Sequence, residues 1–223
     1  MRQTLGFDVY GTLVNPVDMG QHLSAVIGDQ ADAFGQLWHD KKVEYAFRKG
    51  LMHQYQNFGV CTHQALRYCM AVFKIELDED EQQQLMAIFS QLAAFPDVID
   101  GLRALKAQGH QLVAFSNGPE AAVRTLLENA AVLRYLDDVI SVDDVQTYKP
   151  SPVVYQHLLA KTQSNTKDCW MISSNPWDVI GGKAAGLKAA WIQRDPARIF
   201  DPWGVEPDVI VGDLIKLSEK LAG

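Results

Sequence analysis

Asp8 is the first residue of this chain that asks for a chemical explanation. It stands in "LGFDVYGTLV" (5–14), an apolar, β-favouring run broken by a glycine turn. A carboxylate in such a run costs free energy to bury unless it is paired or hydrogen-bonded. Either it is a structural acid held by the turn, or the strand exists to present it. Three more polar sets occupy similar ground, each just after an apolar run or opening a loop. They are Ser116-Asn117, Lys149, and Ser173-Ser174-Asn175 with Asp178. Taken singly, each has a structural explanation. An acid suits a turn, Ser-Asn before Pro119 suits the start of a helix, a lysine before Pro150 suits a solvated loop, and Asp178 suits the positive end of a helix. With Thr12, however, these groups would place an acid, hydroxyls, an amide and a lysine in one crevice, which makes a reaction site.

The elements that must bring them together can be read from periodicity. "LGFDVYG" (5–11) is a buried strand. From 15 to 93, the stretches "GQHLSAVI", "ADAFGQLWHDKKVEYAFRKGLMHQYQNF", "THQALRYCMAVFKI" and "DEDEQQQLMAIFSQLAAF" space apolar residues three and four apart, so a run of helices is expected. Asp97 is the expected cap of a helix over "VIDGLRALKAQG". Strands and helices then alternate: "HQLVAFSNG", "PEAAVRTLLENA", "DVISV", "YKPSPVVYQHLLAKTQ", "CWMISSNPWD", "VIGGKAAG", "LKAAWIQ", "PDVIVG" and a last helix ending near Leu221. Such alternation implies a parallel sheet covered by helices on both faces, with chemistry beyond the carboxyl ends of the strands. The expected organisation is a split α/β core, 1–14 plus 94–223, with an all-helical cap over 15–93.

Composition narrows the partners. The chain has 223 residues, 48% hydrophobic and 21% charged, and a net charge of 20 − 27 = −7 with no basic block. This argues against nucleic acid or an anionic membrane surface and leaves room for a small anionic substrate held by local cations. Three cysteines, Cys61, Cys69 and Cys169, suggest neither a disulfide framework nor a zinc site. No apolar run is long enough to span a bilayer, and Met1 leads directly into a strand, so no leader is expected and the expected location is the cytoplasm. There is no phosphate-loop signature in "VIGGKAAG" and no Gly-x-Ser-x-Gly elbow.

The combination of "FDVYGTL", "SNG" after a strand, "YKP" and "SSNPWD" resembles the haloacid dehalogenase superfamily over essentially the whole chain. Within it, the L-2-haloacid dehalogenase branch is the most similar. The resemblance implies a Rossmann-like parallel sheet with a helical cap. It makes Asp8 a nucleophile that forms an ester with the substrate carbon, Lys149 the cation that keeps it ionised, and Thr12 and Ser173 hydrogen-bonding groups that orient the carboxylates. Asn175 and Asp178 would position or activate the hydrolytic water, with Asp178 the better candidate for the base. Ser116, beside Asn117, would hold the substrate carboxylate, Tyr155 would hydrogen-bond near the substrate, and Tyr10, Phe58 and Trp177 would line a dry pocket. Phe58 and Tyr155 are equally explained as packed aromatics.

Two departures matter. Where the superfamily's phosphatases place an acid two residues after the nucleophile, this chain has Tyr10, and "SSNPWD" offers a single acid, so no metal and no cofactor is expected. Where the resembling dehalogenases read Trp-Arg-x-Lys-Gln, with the arginine receiving the halide, this chain has "WHDKKVEY" and His39. His39 is then protonated in the pocket, or Lys42 or Lys41 reaches in instead, or the leaving group is not a halide. The expected reaction is hydrolysis of a small 2-haloalkanoic acid. The alternatives are a strained C–N or phosphate-ester leaving group and a non-catalytic carboxylate binder. A homodimer through Phe47, Tyr68 and Phe73 is permitted, although cap packing explains these residues as well.

Overall fold

The computed structural model describes residues 2–16 and 18–222. Met1 and Gly223 of the expected core, and Val17 of the expected cap, lie outside them. In chain order the elements begin with β1 (Thr4–Phe7), α1 (Asp18–Ile27), α2 (Ala31–Leu51), α3 (Phe58–Phe73), α4 (Glu79–Ala87) and α5 (Val98–Ala107). They continue with β2 (Gln111–Ser116), α6 (Glu120–Asn129), β3 (Asp138–Ser141), α7 (Pro152–Thr162), β4 (Cys169–Ser173), α8 (Pro176–Ala184), β5 (Lys188–Ile192), β6 (Val209–Val211) and α9 (Leu214–Leu221).

The strands form one parallel sheet in the order β3-β2-β1-β4-β5-β6. β1 and β4 are buried along their whole length, as strands covered by helices on both faces must be. The chain builds outward from β1 on one side through β2 and β3, then crosses back to lay β4 on the other side of β1. That reversal opens a crevice beyond the carboxyl end of β1, the position where such sheets bind ligands. Asp8 is the first residue past that end, and its N–H donates to Ile172 O on β4 at 2.9 Å.

Helices α1 to α4 belong to the segment between the two chain crossings at 13–15 and 93–95. These crossings are tied together by Asn15 N to Ala93 O (2.8 Å) and Phe95 N to Leu13 O (3.1 Å). α2 buries Ala31, Phe34, Trp38, Lys42 and Ala46, a stripe with helical spacing and a lysine in its middle. Trp38 Nε1 donates to Thr62 O at 2.8 Å, and Phe34 meets Phe73 with ring centroids 5.4 Å apart, which fixes α2 against α3. Asp78 and Glu81 form a reciprocal capping box at the start of α4, so the acidic run there begins a helix as expected.

Three local expectations are corrected. The helical spacing over 31–58 does not mark one helix: α2 stops at Leu51, and Tyr55 and Phe58 remain apolar because they pack against Tyr148, with centroids 5.0 and 6.2 Å away. The pattern over 78–95 likewise breaks at Ala87 into a short 3-10 turn over 88–90. Asp97 makes no side-chain bond to its own helix. Its carboxylate instead accepts from Leu214 N at 2.7 Å, capping α9, and pairs with Arg194 at 2.6 Å. Of the aromatics that would permit a dimer, Phe47 packs edge-on against Trp177 and Phe73 against Phe34, while Tyr68 stays exposed.

Candidate active site

The turn after β1 is built to hold Asp8 still. Gly11 has φ +82°, which lets the chain reverse at once, and the Leu13 and Val14 N–H groups return to Val9 O at 2.9 and 3.1 Å. Thr12 Oγ1 then donates to Asp8 Oδ2 at 3.0 Å while accepting from Ser174 N at 2.9 Å. Asn175 Nδ2 donates to the same Oδ2 at 3.1 Å. Oδ1 has one contact, Lys149 Nζ at 3.4 Å. One carboxylate oxygen is therefore held by two donors, and the other keeps freer lone pairs.

Lys149 is fully buried behind Asp8. Its ammonium donates to Phe115 O at 2.7 Å and to Asp178 Oδ2 at 2.9 Å, and sits 4.4 Å from the Phe115 ring centre. The other oxygen of Asp178 accepts from the Tyr155 hydroxyl at 2.8 Å. Burial pushes the Asp178 carboxyl up to about 6, with Lys149 acting against it and Asp8 reinforcing it. Burial raises the Tyr155 phenol well above its usual range, so it stays a donor.

In front of Asp8 lies a mostly apolar cavity of about 240 Å³. Asp8, Ser116, Asn117 and Asn175 reach it from the strand ends, and Tyr10, His39, Phe58 and Trp177 complete the expected set on its wall. Thr12, Lys149, Ser173, Asp178 and Tyr155 are not on that wall. Tyr155 is a packed aromatic off that wall, with its hydroxyl turned to Asp178. Ser173 reaches neither carboxylate; its hydroxyl accepts from Asn175 N at 3.1 Å and so positions the asparagine. Ser116 Oγ accepts from Gly118 N at 3.0 Å, and Asn117 Oδ1 accepts from Lys149 N at 3.0 Å, which ties two of the loops together.

His39 is exposed on the cleft, and loss of hydration together with the Lys42 ammonium pushes its ring below the usual histidine range, which favours the neutral form near pH 7. Tyr10 is held up to about 12 by burial and by Asp8, so it is no proton donor near neutral pH. Lys42, one of the alternatives weighed for the positive charge, lines the cavity, and so do Phe89 and Ser90, which were not expected there. The usable signal for Lys42 was its place on the apolar stripe of α2. For Phe89 and Ser90 there was none, since they face inward only because α4 breaks.

Among the described residues no three His, Cys, Asp or Glu side chains form a cluster able to hold a metal ion. The donors at the site do not suit magnesium either: Tyr10 stands two residues after Asp8, where a second acid would be needed, and Lys149 already supplies the positive charge between the two acids.

A buried, hydrogen-bonded carboxylate at the switch point of a parallel sheet, lining a small apolar cavity, defines an α/β enzyme with hydrolytic chemistry. The family model described as haloacid dehalogenase-like hydrolase matches residues 3–186. An (S)-2-haloacid dehalogenase of Pseudomonas putida is 32% identical, covering 98% of this chain and 96% of that protein. Haloacetate dehalogenase H-2 of Moraxella sp. (strain B) is 33% identical over 94% and 93%. Among solved structures, the L-2-haloacid dehalogenase RSc1362 superimposes with a TM-score of 0.96 at 26% identity, over 100% of this chain and 99% of that one. The chain belongs to the haloacid dehalogenase-like hydrolase family.

Proposed function

We propose that this protein hydrolyses the carbon–halogen bond of small (S)-2-haloalkanoic acids, giving (R)-2-hydroxy acids through an ester on Asp8. The observation that carries the reading is Asp8 itself: 7% exposed, lining a small apolar cavity, with Tyr10 where a phosphatase would need a second acid. Curated relatives with this activity over most of the chain support it. In this reading the helical segment 15–93 is a cap that closes the cavity over the core, 1–14 and 94–223.

Asp8 Oδ1 attacks the substrate carbon from the side opposite the halogen, so the carbon inverts; positioning supplies much of the acceleration. The Ser116-Asn117 loop holds the substrate carboxylate. Water then attacks Cγ of the Asp8 ester. The charge that develops falls on Oδ2, where the Thr12 hydroxyl at 3.0 Å and the Asn175 amide at 3.1 Å already point. The N–H groups of Val9 and Tyr10 add to this, because those of Gly11 to Val14 are engaged within the turn. Asp178, fully buried and off the cavity wall, takes the proton of a water that passes Asp8 to reach it; each of its oxygens keeps a lone pair beyond the one given to Tyr155 or Lys149. The Cγ–O bond breaks, the product oxygen takes a proton, and Asp8 is restored. A reducing compartment suits the three buried free cysteines.

The test is halide release from L- and D-2-bromopropionate with EDTA present throughout. Fast, L-selective, chelator-resistant release is expected. Release from neither enantiomer would sink the reading. Tight binding of the acid without release would favour a carboxylate-binding relative.

A further inference from the structure

In-line displacement sends the leaving group away from the nucleophile, so the cleft wall facing Asp8 must receive the charge that departs. That wall comes from α2, α3 and the α4 end. Its only lysine or arginine among the described residues is Lys42. Lys42 is 7% exposed, and its ammonium lies 4.4 Å from the Phe89 ring centre. No carboxylate among the described residues pairs with it. A buried cation left without a counter-ion is costly and unusual. The Phe89 ring offsets part of that cost, and an anion entering the cavity would offset the rest.

We propose that the Lys42 ammonium is the receptor for the halide expelled from the substrate. The inference rests on the haloacid reading above. The chemistry asks for a charge and not for an acid. As Asp8 Oδ1 forms its bond to carbon, the carbon–halogen bond breaks, its electron pair leaves on the halide, and no proton moves. A neutral His39 does not supply that charge. Lys42 also borders a second, larger chamber of about 650 Å³, which contains Arg194 and Arg198 and shares Tyr10 and His39 with the first. A halide held at Lys42 can therefore leave on that side without crossing the ester on Asp8.

The experiment compares the parent with Lys42→Met and Lys42→Arg. Met keeps the length and apolar stem, and thermal melting verifies that each variant is folded. Single-turnover ester formation from (S)-2-chloropropionate should fall about 100-fold in Lys42→Met, as on losing an oxyanion donor. The loss should be larger for chloride than for bromide, the better leaving group, with inhibition by propionate unchanged. Lys42→Arg should retain most of the rate. Bromide soaked into parent crystals should give an anomalous peak beside Lys42 Nζ that is missing in Lys42→Met. Equal losses for the two halides with weakened propionate binding would overturn the proposal, since Lys42 would then hold the substrate carboxylate. An unchanged rate, or a bromide peak that persists in Lys42→Met, would overturn it too. Failure of the haloacid reading looks different: the parent releases neither halide, while bromide still occupies the site at Lys42.

Discussion

Lys149 is bound more closely to Asp178 than to Asp8: its ammonium lies 2.9 Å from Asp178 Oδ2 and 3.4 Å from Asp8 Oδ1. The lysine is thus the direct partner of the buried acid and a more distant companion of the nucleophile. Phe115 O, 2.7 Å away, keeps the ammonium from moving toward either one. A single cation therefore ties the two carboxylates into one unit, and the predictions below probe that unit from different sides.

Lys149→Met should leave both acids buried without a cation. Breaking a buried pair in this way costs about 3–5 kcal/mol, so the melting temperature should fall sharply and halide release should stop. Thermal melts and halide assays on the same preparation check this. Unchanged melting would show that the carboxylates do not need the lysine.

The pH dependence follows from two displaced groups. Asp178, raised to about 6 by burial, must be ionised to act as base, so turnover should rise as pH increases through about 6. Lys42, lowered to about 8 by burial, must be protonated to receive halide, so turnover should fall as pH increases through about 8. Tyr10, near 12, titrates outside this window, and His39 is pushed below the usual histidine range. A bell-shaped pH–rate curve is expected, with its alkaline limb moved to higher pH in Lys42→Arg. A flat curve between pH 5 and 9 would remove both assignments.

Tyr155→Phe should lower stability by about 1 kcal/mol, the net worth of a lost hydrogen bond. Its hydroxyl supports the ionised form of Asp178, so removing it should push that carboxyl higher. The acid limb should move to higher pH, with little change in KM because Tyr155 does not touch the cavity. An acid limb that stays in place would uncouple the tyrosine from the base.

Gly181→Ala tests the same contact through packing. A methyl group there would run into the Tyr155 hydroxyl and come within 2.6 Å of Pro150 Cβ. Overpacking of this kind costs about 1–3 kcal/mol. The acid limb should shift as in Tyr155→Phe, because the tyrosine must give way. Retention of both stability and the pH profile would mean that α8 can move aside freely.

The order of strands and helices was legible because strands buried on both faces read as unbroken apolar runs, and their turns carry glycine, proline and the reactive residues. Helix ends were less legible. Tyr55 and Phe58 stay apolar beyond the end of α2 because Tyr148 covers them, and burial without helix leaves the same periodic trace as a helix. Asp97 had the chemistry of a cap, but its partner was Leu214, 117 residues away.

By itself, the sequence determined the parallel α/β core and the run of helices between β1 and β2, and it singled out Asp8, Thr12, Lys149, Asn175 and Asp178 in the turns and loops that follow strands. Only the tertiary structure decided how these groups divide their contacts. Lys149 and Asp8 are separated by 141 residues, and the distance between them is set by the register of β1 against β2 and β4. It also decided that Tyr155 and Ser173 lie off the cavity wall, and that Lys42, His39 and Asp8 line one cavity. Those outcomes depend on burial and on charges from other elements, and a single stretch of sequence records neither.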